Sequence, residues 1–345
     1  MSNPASDESA GRAGSGGAIR DRLAIEALEY PIAPVANRLP YMMGGLTFIS
    51  LVALIGTGIL LDQFYNPDPT AAHDSVLYIM TRVPLGNWVR AIHYWSATIV
   101  LITVAFHLVY VFWRRSYQRP REVTWWVGVL LYVVLFGLVF TGTVLKSDQE
   151  GIEALAHAVA GAKVVGALGA PMTPGFTQSA SLLTRVHAMH VSLLPIILLA
   201  LVGAHFFLIR FIGIHTEQPR TIPFTHHIRK LTGYGLILLS LVGALAAFFP
   251  PGIGNPGVEG FEVTKPFWPF LWIYTVENTV GIVGMVIAPL ILFGFLFIVP
   301  LLDRPRTHGA PRPRWFSALA AIMLALYLGG IIYGVYAPQM QHIGM

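Results

Sequence analysis

The sequence predicts an all-α membrane protein with seven transmembrane helices. The chain has 345 residues, of which 55% are hydrophobic and only 11% are charged, and its mean hydropathy is +0.64. A soluble protein of this length does not need so much apolar surface. Seven apolar runs are long enough to cross a bilayer. They cover residues 41–62, 88–113, 124–145, 184–212, 231–250, 279–302 and 315–337.

The first 20 residues are polar and rich in Gly, Ser and Ala. They contain no apolar core, so we do not expect a secretory signal peptide there. We expect residues 1–36 to form an N-terminal tail. Its first part should be disordered, and residues 20–30 should form a short amphipathic helix on the membrane surface.

Basic residues are concentrated in alternate loops. The rich loops carry Arg114, Arg115, Arg119 and Arg121 after the second span, Arg220, Arg229 and Lys230 after the fourth, and Arg304, Arg306, Arg312 and Arg314 after the sixth. The other loops carry only Arg82, Lys146, Lys163 and Lys265. The positive-inside rule therefore predicts a cytoplasmic N-terminus and an outer C-terminus. Because the positive charge falls in these loops, the net charge of +5 does not indicate nucleic acid as a partner.

The chain contains no cysteine. This excludes disulfides, iron–sulfur ligation, zinc–thiolate sites and covalent haem attachment through thioethers. Any haem bound by this chain must therefore be held by other ligands, such as histidine.

Two pairs of histidines lie inside the second and fourth spans. His107 follows His93 by fourteen positions, and His205 follows His190 by fifteen. A step of about 14 residues is close to four helical turns, or about 21 Å along the axis, and keeps both imidazoles on nearly the same face. Two such helices can hold two b-type haems, each with two histidine ligands. A bis-histidine haem carries electrons and has no free coordination position.

The predicted orientation fixes how the histidines pair. Both helices run from the outside inward, so His93 pairs with His190 near the outer surface and His107 with His205 near the inner surface. The 15-residue step on the fourth span exceeds four full helical turns by about 60° of rotation, at about 100° per residue. Pro195 can kink the helix and absorb part of this excess. The alternative is that these histidines are polar contacts between helices, but four in register favour haem ligation.

Glycines repeat the spacing of the histidines on two other spans. Gly58 follows Gly44 by fourteen positions on the first span, and Gly142 follows Gly128 by the same step on the third. A glycine lets a flat macrocycle approach the backbone. We therefore expect the first and third helices to wall the two haems.

These features and several longer stretches resemble cytochrome b of the quinol-oxidising cytochrome bc complexes. The matching stretches are TGILLDQFY (57–65), SVLYIMTRVPLGNWVRAIHYWSA (75–97), RPREVTWWVGV (119–129) and HVSLLP (190–195). The resemblance implies a four-helix dihaem bundle over residues 37–221, followed by a three-helix part over residues 222–345 that resembles subunit IV of the chloroplast-type complexes. The chloroplast-type cysteine that tethers a third haem aligns with Met42, so a covalent third haem is excluded.

The resemblance also implies a function and partners. It implies an outer quinol site, an inner quinone site, a Rieske iron–sulfur protein, and a c-type cytochrome or similar acceptor. It further implies a homodimeric complex in contact with lipid, in an energy-transducing membrane such as a bacterial plasma membrane, with protons released outside. Arg90 matches an arginine near an outer-haem propionate. Arg114 and Arg210 lie where inner propionate or quinone-site cations would sit, or serve as ordinary interface charges.

The expected outer quinol site departs from the family pattern. The Pro-Glu-Trp-Tyr stretch aligns with Pro266, Phe267, Trp268 and Pro269, so phenylalanine replaces the glutamate that would take a quinol proton. The usual Gly-Tyr-x-Leu-Pro-Trp stretch starts at Gly142 but reads Gly-Thr-Val-Leu-Lys-Ser over residues 142–147. Candidate replacement proton acceptors are Asp148, Glu150 and Glu277. Glu277 is expected to open the sixth span, where a partly desolvated carboxyl suits a proton acceptor and an ordinary helix N-terminal acid is the alternative.

The remaining histidines are assigned lesser roles. His187 lies one turn before His190 and is a candidate quinone-site residue. His226 and His227 are expected in a basic inner loop. The others, His73, His157, His215, His308 and His342, are expected to be loop residues.

Three functions compete at this point. The first is a dihaem cytochrome b subunit of a quinol-oxidising complex with a Rieske protein. The second is a non-bifurcating dihaem anchor that exchanges electrons between quinone and another oxidoreductase; the missing glutamate favours it, whereas Pro266 and Trp268 favour the first. The third, a proton-coupled transporter, lacks acidic residues in mid-span.

Overall fold

The structure, a computed structural model, describes Arg22, residues 29–303 and residues 312–343. Most of the predicted N-terminal tail and amphipathic helix, together with Arg304 and Arg306, lies outside these residues. The described helices of the first part are α1 (Leu39–Asp62), α2 (Ala72–Thr81), α3 (Gly86–Trp113), α4 (Glu122–Val144), α5 (Gln149–Val164) and α6 (Leu182–Ile212). Those of the second part are α7 (Phe224–Phe248), α8 (Leu271–Val280), α9 (Ile282–Leu302) and α10 (Arg314–Tyr336).

Seven of these helices are long and apolar enough to cross a membrane, namely α1, α3, α4, α6, α7, α9 and α10. They match the seven predicted spans, which confirms the predicted fold class. The shorter helices α2, α5 and α8 lie between spans. A pair of two-residue strands, β1 (Pro31–Ile32) and β2 (Ile222–Pro223), is antiparallel and joins the segment before α1 to the start of α7.

Two boundaries differ from the sequence prediction. The fifth span begins at Phe224, so His226 and His227 lie on α7 and not in a loop. Glu277 does not open the sixth span. It lies on α8, which ends at Gly281 with a φ of 77°, and the sixth span begins at Ile282. A positive φ is readily adopted by glycine, so Gly281 allows the chain to turn between two apolar helices.

Indole N–H groups join the first part of the chain to the second. Trp125 and Trp126 on α4 donate to the carbonyls of Leu296 and Phe297 on α9, at 2.7 and 2.9 Å. Trp88 on α3 donates to a carbonyl of α7. In a membrane interior a buried indole N–H needs a partner, so these bonds fix how the two parts pack.

A buried ion cluster holds the same junction at the other end of the bundle. Asp303, directly after α9, has no exposed side-chain surface and pairs with Arg115 at 2.6 Å and with Arg312 at 3.5 Å. Tyr117 donates a short hydrogen bond to the same carboxylate. These contacts sit beside an apolar cluster that includes Trp125 and residues of α9 and α10.

Candidate functional site

The first predicted histidine pair is brought together by α3 and α6. The ring centres of His93 and His190 lie 6.4 Å apart, with their planes inclined by 63°. Two imidazoles in line on one metal, each bonded at about 2.0 Å, place their ring centres about 6.3 Å apart. The spacing of this pair therefore fits one metal ion between the two rings. We refer to this end of the bundle as the outer end, following the predicted orientation.

Hydrogen bonds determine which ring nitrogen of His93 is free to bind a metal ion between the two rings. Its Nδ1 lies 3.1 Å from the Leu54 carbonyl and 3.1 Å from Thr57 Oγ1. A carbonyl only accepts, so Nδ1 carries the proton and Nε2 carries the lone pair. The Thr57 hydroxyl donates its own proton to the Ala53 carbonyl at 2.7 Å. Nε2 of His93 is thus the atom prepared to ligate a metal.

The same arrangement recurs on the opposite side. His190 Nδ1 lies 2.9 Å from Thr141 Oγ1, and the Thr141 hydroxyl donates to the Gly137 carbonyl at 2.9 Å. Because that donation uses its only proton, Thr141 accepts from His190. Thr57 and Thr141 each come directly before one of the predicted glycines, Gly58 and Gly142. The two Thr-Gly pairs are a signal that the sequence reasoning did not use.

The second predicted pair lies about four helical turns further along the same two helices, or about 21 Å along the axis. His107 and His205 lie near enough to interact electrostatically. In the described residues, Nδ1 of each ring is buried without a well-formed hydrogen bond, although the backbone of Thr124 lies close to His205. A buried polar atom left without a partner is costly. In the described residues these two rings are therefore held less firmly by hydrogen bonds than His93 and His190 are.

All four predicted glycines lie against the four histidines. A Cβ on Gly58 or Gly142 would come within 3.2 Å of His93 Cε1 or 3.0 Å of His190 Cε1. The matching distances are 3.3 Å from Gly44 to His107 Cε1 and 3.5 Å from Gly128 to His205 Cε1. From the sequence, these glycines were expected to contact a macrocycle. In the structure they contact the imidazole rings of the four histidines. Each missing Cβ lets a ring lie against the backbone of α1 or α4.

The longer histidine spacing on α6 is absorbed by a π-helical turn. This turn covers Met189–Leu193, which includes His190, and comes directly before Pro195. A π turn accommodates one residue more than an α turn. Because Pro195 has no N–H, a carbonyl one turn earlier lacks its usual partner and the ladder rearranges. The expected kink at Pro195 thus takes the form of a π turn. Because this turn takes up the extra residue, the two histidines of α6 are separated along the helix axis by nearly the same distance as those of α3.

These residues fit haem iron as a cofactor. Two histidine pairs lie on the same two helices, the ring centres of the first pair are spaced as two ligands of one metal ion would be, and the rings of the second pair are buried close to each other. The absence of a Cβ at four helix positions makes room for the rings. His93, His107, His190 and His205 are therefore the candidate ligands of two haem b groups.

The predicted arginines have different surroundings. Arg90 donates to the carbonyls of Pro251 and Gly252 at 2.6 and 2.8 Å, in the loop that follows α7. Arg210 lies with its guanidinium carbon 3.8 Å from the ring centre of Tyr30. Arg114 ends α3, where its backbone N–H caps the helix. All three lie at ends of the spans, where cations were expected.

The stretch Pro266–Trp268 contacts α3 one residue from His93. The Phe267 ring packs against the ring of Tyr94 with 5.4 Å between centres, and Tyr94 is the neighbour of His93 in the chain. Trp268 begins a single 3-10 turn that leads into α8. The position that aligns with the glutamate of the resembling family thus brings a phenyl ring against α3.

The three candidate proton acceptors differ in their contacts, and one of them, Glu150, forms an ion pair with Lys146. Asp148 caps the start of α5, accepting from the Gly151 N–H at 3.0 Å, and its other oxygen accepts from the Gly254 N–H at 3.1 Å. Glu277 Oε1 lies 3.3 Å from His157 Nε2 and has no hydrogen bond in the described residues. Burial raises the pKa of Glu277, and His157 and His342 oppose that shift.

His187 forms a dyad that the sequence did not indicate. Its Nε2 lies 2.7 Å from Asp62 Oδ1, and its ring stacks on Tyr65 with 5.3 Å between centres. Burial raises the pKa of Tyr65 to about 12. Asp62 and Tyr65 lie at the end of α1 within the stretch TGILLDQFY, but no spacing rule connects them to His187, which follows Asp62 by 125 residues in the chain.

Comparison with known proteins decides the family. The family profile described as Cytochrome b/b6/petB matches residues 28–213, more than half of the chain. The chain belongs to the cytochrome b/b6 family. A relative from Chlorobaculum thiosulfatiphilum, named cytochrome bc complex cytochrome b subunit, is 33% identical over 322 residues, covering 86% of this chain and 73% of the relative. That alignment is too long to be confined to the four-helix part of this cytochrome b.

Other relatives match about half of the chain. Cytochrome b6 of Heliobacterium mobile is 34% identical over 200 residues, 56% of this chain and 92% of the relative. The menaquinol:cytochrome c reductase cytochrome b subunit of Geobacillus thermodenitrificans is 37% identical over 179 residues, 50% of this chain and 80% of the relative. A chain of a solved hyperthermophilic respiratory Complex III superposes with a TM-score of 0.78 and 25% identity, over 94% of this chain and 92% of that one. The resemblance inferred from the sequence is confirmed.

Proposed function

We propose that this chain is the dihaem cytochrome b subunit of a quinol-oxidising Rieske/cytochrome b complex. It would take electrons from quinol at an outer site to quinone at an inner site, coupled to proton translocation. The observation that carries this proposal is the 6.4 Å spacing of the His93 and His190 rings, together with a second histidine pair on the same two helices. Relatives named as subunits of cytochrome bc complexes and of menaquinol:cytochrome c reductase support it.

In this proposal the four histidines hold two haem b groups. His93 and His190 hold the outer one and His107 and His205 the inner one, about 21 Å apart along the helix axes. When bound, these groups supply one-electron carriers on the two sides of the membrane. The chain itself orients the ligands through Thr57, Thr141 and the glycines. Arg90 near the outer group, and Arg114 and Arg210 near the inner one, would neutralise propionates or a quinone-site charge.

The protein partners come from the same family assignment. We propose a Rieske iron–sulfur protein, a c-type cytochrome or similar acceptor, and a homodimeric complex in contact with lipid. The location would be an energy-transducing membrane such as a bacterial plasma membrane, with the N-terminus in the cytoplasm and the C-terminus outside. The charge difference between loops supports this orientation.

The outer quinol site is proposed to lie at Pro266 and Trp268, with His187 as a further quinone-site residue. Packing of Phe267 on Tyr94, next to His93, supports that position. Asp148 and Glu277 remain the predicted proton acceptors. Asp148 has both oxygens engaged by backbone N–H groups, which leaves it less free to accept a proton than a carboxylate with an unengaged oxygen.

A second function is favoured by one observation. Phe267 brings an apolar ring where the family has a glutamate, so the outer site lacks the usual group for taking a quinol proton. A non-bifurcating dihaem anchor would need no such group, and would exchange electrons between the quinone pool and another oxidoreductase. Whether the purified complex contains a Rieske cluster separates this function from the first.

The test of haem binding is a redox titration of the purified complex, following the reduced α-band and counting haem b per chain. Two components with separate midpoints are expected. His93→Ala and His190→Ala should remove the same component, and His107→Ala and His205→Ala the other. One haem per chain would contradict the proposal, as would a shared loss in His93→Ala and His205→Ala.

A further inference from the structure

A second group of ligating side chains lies at the outer end of the molecule, apart from the four haem histidines. His157 is on α5, Glu262 is in the loop between α7 and α8, Glu277 is on α8, and His342 is in the segment after α10. The sequence prediction placed His157 and His342 in loops without a role. His157 is helical, and the fold brings the four residues together from four separate segments.

The distances among these side chains are those of a metal coordination shell. His157 Nε2 lies 3.3 Å from Glu277 Oε1 and 3.8 Å from Glu262 Oε2, and His342 Nδ1 lies 3.5 Å from Glu262 Oε2. Ligand atoms of His157, Glu277 and His342 all lie within 4.8 Å of one another. Tetrahedral ligands bonded to Zn²⁺ at about 2.0–2.1 Å are separated from each other by about 3.3–3.4 Å. The His157–Glu277 separation equals that value, and the two separations that involve Glu262 exceed it by about 0.1–0.5 Å. Glu262 approaches the close set of three residues through its two histidines.

Several of the ligating atoms have no other partner. Both ring nitrogens of His342 and Oε1 of Glu277 are buried without a hydrogen bond in the described residues. Only 8% of the His342 side chain and 4% of the Glu277 side chain are exposed. Burying such groups without partners is costly, and a cation bound among them removes that cost.

Two of the ligands are already oriented by neighbouring groups. His157 Nδ1 donates to the Glu153 carbonyl at 2.7 Å, which leaves the lone pair on Nε2, the atom that faces Glu277. Glu262 accepts from the backbone N–H groups of His342 and Ile343, at 2.9 and 2.7 Å. Hydrogen bonds of this kind fix ring tautomer and carboxylate orientation at metal sites.

The charges also balance for a divalent ion. Two carboxylates carry two negative charges, and two neutral imidazoles add none, so one divalent cation neutralises the buried group. Mixed imidazole and carboxylate ligands suit Zn²⁺, whereas a site of oxygen ligands alone would suit Mg²⁺ or Ca²⁺. An ion pair between protonated histidine and glutamate would explain the contacts less well, because neither nitrogen of His342 forms a hydrogen bond in the described residues.

We propose that His157, Glu262, Glu277 and His342 bind one divalent transition-metal ion of the Zn²⁺ class. The ion would fasten the C-terminal segment to the loop before α8. That segment is already docked there, since Tyr274 donates to the Pro338 carbonyl at 2.9 Å and Gln339 donates to the Val263 carbonyl at 2.8 Å. The proposal does not depend on haem binding, but it bears on the quinol site, where Glu277 is a predicted proton acceptor. While the ion is bound, Glu277 is a ligand and is not free to accept a proton.

The experiment is a metal-binding titration on the full-length protein with its haem in place. The protein is stripped with a chelator, loaded with Zn²⁺ or Co²⁺, and analysed for metal per chain, with iron counted separately. One Zn²⁺ per chain is expected, and Co²⁺ should give visible d–d absorption typical of four-coordinate N/O ligation. Loss of a ligand in His157→Ala or His342→Ala should weaken binding at least about tenfold.

His73→Ala is the matched control. His73 was expected to be a loop residue but lies on α2, outside the proposed site, and its Nε2 lies 2.9 Å from the Gly254 carbonyl. This variant should retain the Zn²⁺ stoichiometry and the Co²⁺ spectrum, and an unchanged haem spectrum verifies the fold of every variant. Absence of Zn²⁺ from the reloaded wild type overturns the proposal. Binding that is equally strong in the His157→Ala/His342→Ala double variant also overturns it.

Discussion

The glycines beside the histidines offer a graded test of the dihaem site. In Gly142→Ala the added Cβ would lie 3.0 Å from His190 Cε1, whereas ordinary van der Waals contact begins at 3.4 Å. The ring or the helix must therefore give way by a few tenths of an ångström. Overpacking of this kind costs about 1–3 kcal/mol. Because the displaced ring is a proposed ligand, the cost should appear as lower occupancy of one haem.

The four positions form a series ordered by the room available. The distance from the added Cβ to the histidine Cε1 rises from 3.0 Å at Gly142 to 3.2 Å at Gly58, 3.3 Å at Gly44 and 3.5 Å at Gly128, and only the last lies in the range of ordinary contact. The loss of haem should decrease in that order. Gly142→Ala and Gly58→Ala should affect the component lost in His190→Ala. Gly44→Ala should affect the other component, and Gly128→Ala should be close to wild type.

The control for this series is Gly56→Ala on α1. No atom lies within 4 Å of a Cβ added there, and alanine is the better helix former by about 1 kcal/mol. The assay is haem b per chain and the two midpoint potentials, measured on membranes and on purified protein. Equal effects of Gly56→Ala and Gly142→Ala would refute the reasoning. So would a larger loss in Gly128→Ala than in Gly142→Ala.

Two further substitutions test the surroundings of the haem site and the junction between the two parts. Thr141→Val removes the hydrogen-bond acceptor of His190 Nδ1 and should raise the midpoint of the outer component by about 20–60 mV, the one-electron equivalent of a hydrogen bond worth about 0.5–1.5 kcal/mol. Thr143→Val, which removes only a bond to a helix carbonyl, should leave both midpoints unchanged, and a downward shift in Thr141→Val would contradict this account. Asp303→Ala removes the buried carboxylate that pairs with both Arg115 and Arg312 and should lower the stability of the assembled chain by about 3–5 kcal/mol, measured as thermal loss of the haem spectrum. Glu122→Gln, which removes an ion pair with a largely exposed arginine, should have little effect, and a similar loss in both variants would contradict the role of Asp303.

Much of the fold followed directly from the sequence. The bilayer requires long apolar helices whose backbone N–H and C=O groups hydrogen-bond within the helix. Each span is therefore recognisable in the sequence as a long apolar run. The histidine spacing gave the pairing of His93 with His190 because helix geometry is regular and both helices run in the same direction. The positions of the four glycines followed from the same regularity.

What the sequence did not determine depends on contacts between distant segments. The role of Thr57 and Thr141 requires α1 and α4 to face the helices that carry the histidines. The Asp62–His187 dyad joins residues 125 positions apart, and only helix packing brings them together. Glu277 was misplaced because hydropathy does not register the turn at Gly281, where one residue with positive φ separates α8 from α9.

The sequence by itself therefore determined the class of the protein, its seven spans and its four candidate haem ligands, because each rests on a local periodicity that water, lipid and helix geometry impose. The tertiary structure alone decided how those ligands are oriented and what lies around them. It also alone assembled His157 and His342 with two glutamates, since these residues belong to separate segments with no common period. Sites built on one helix face can be predicted from spacing, whereas sites built from loops and a C-terminal segment require the fold.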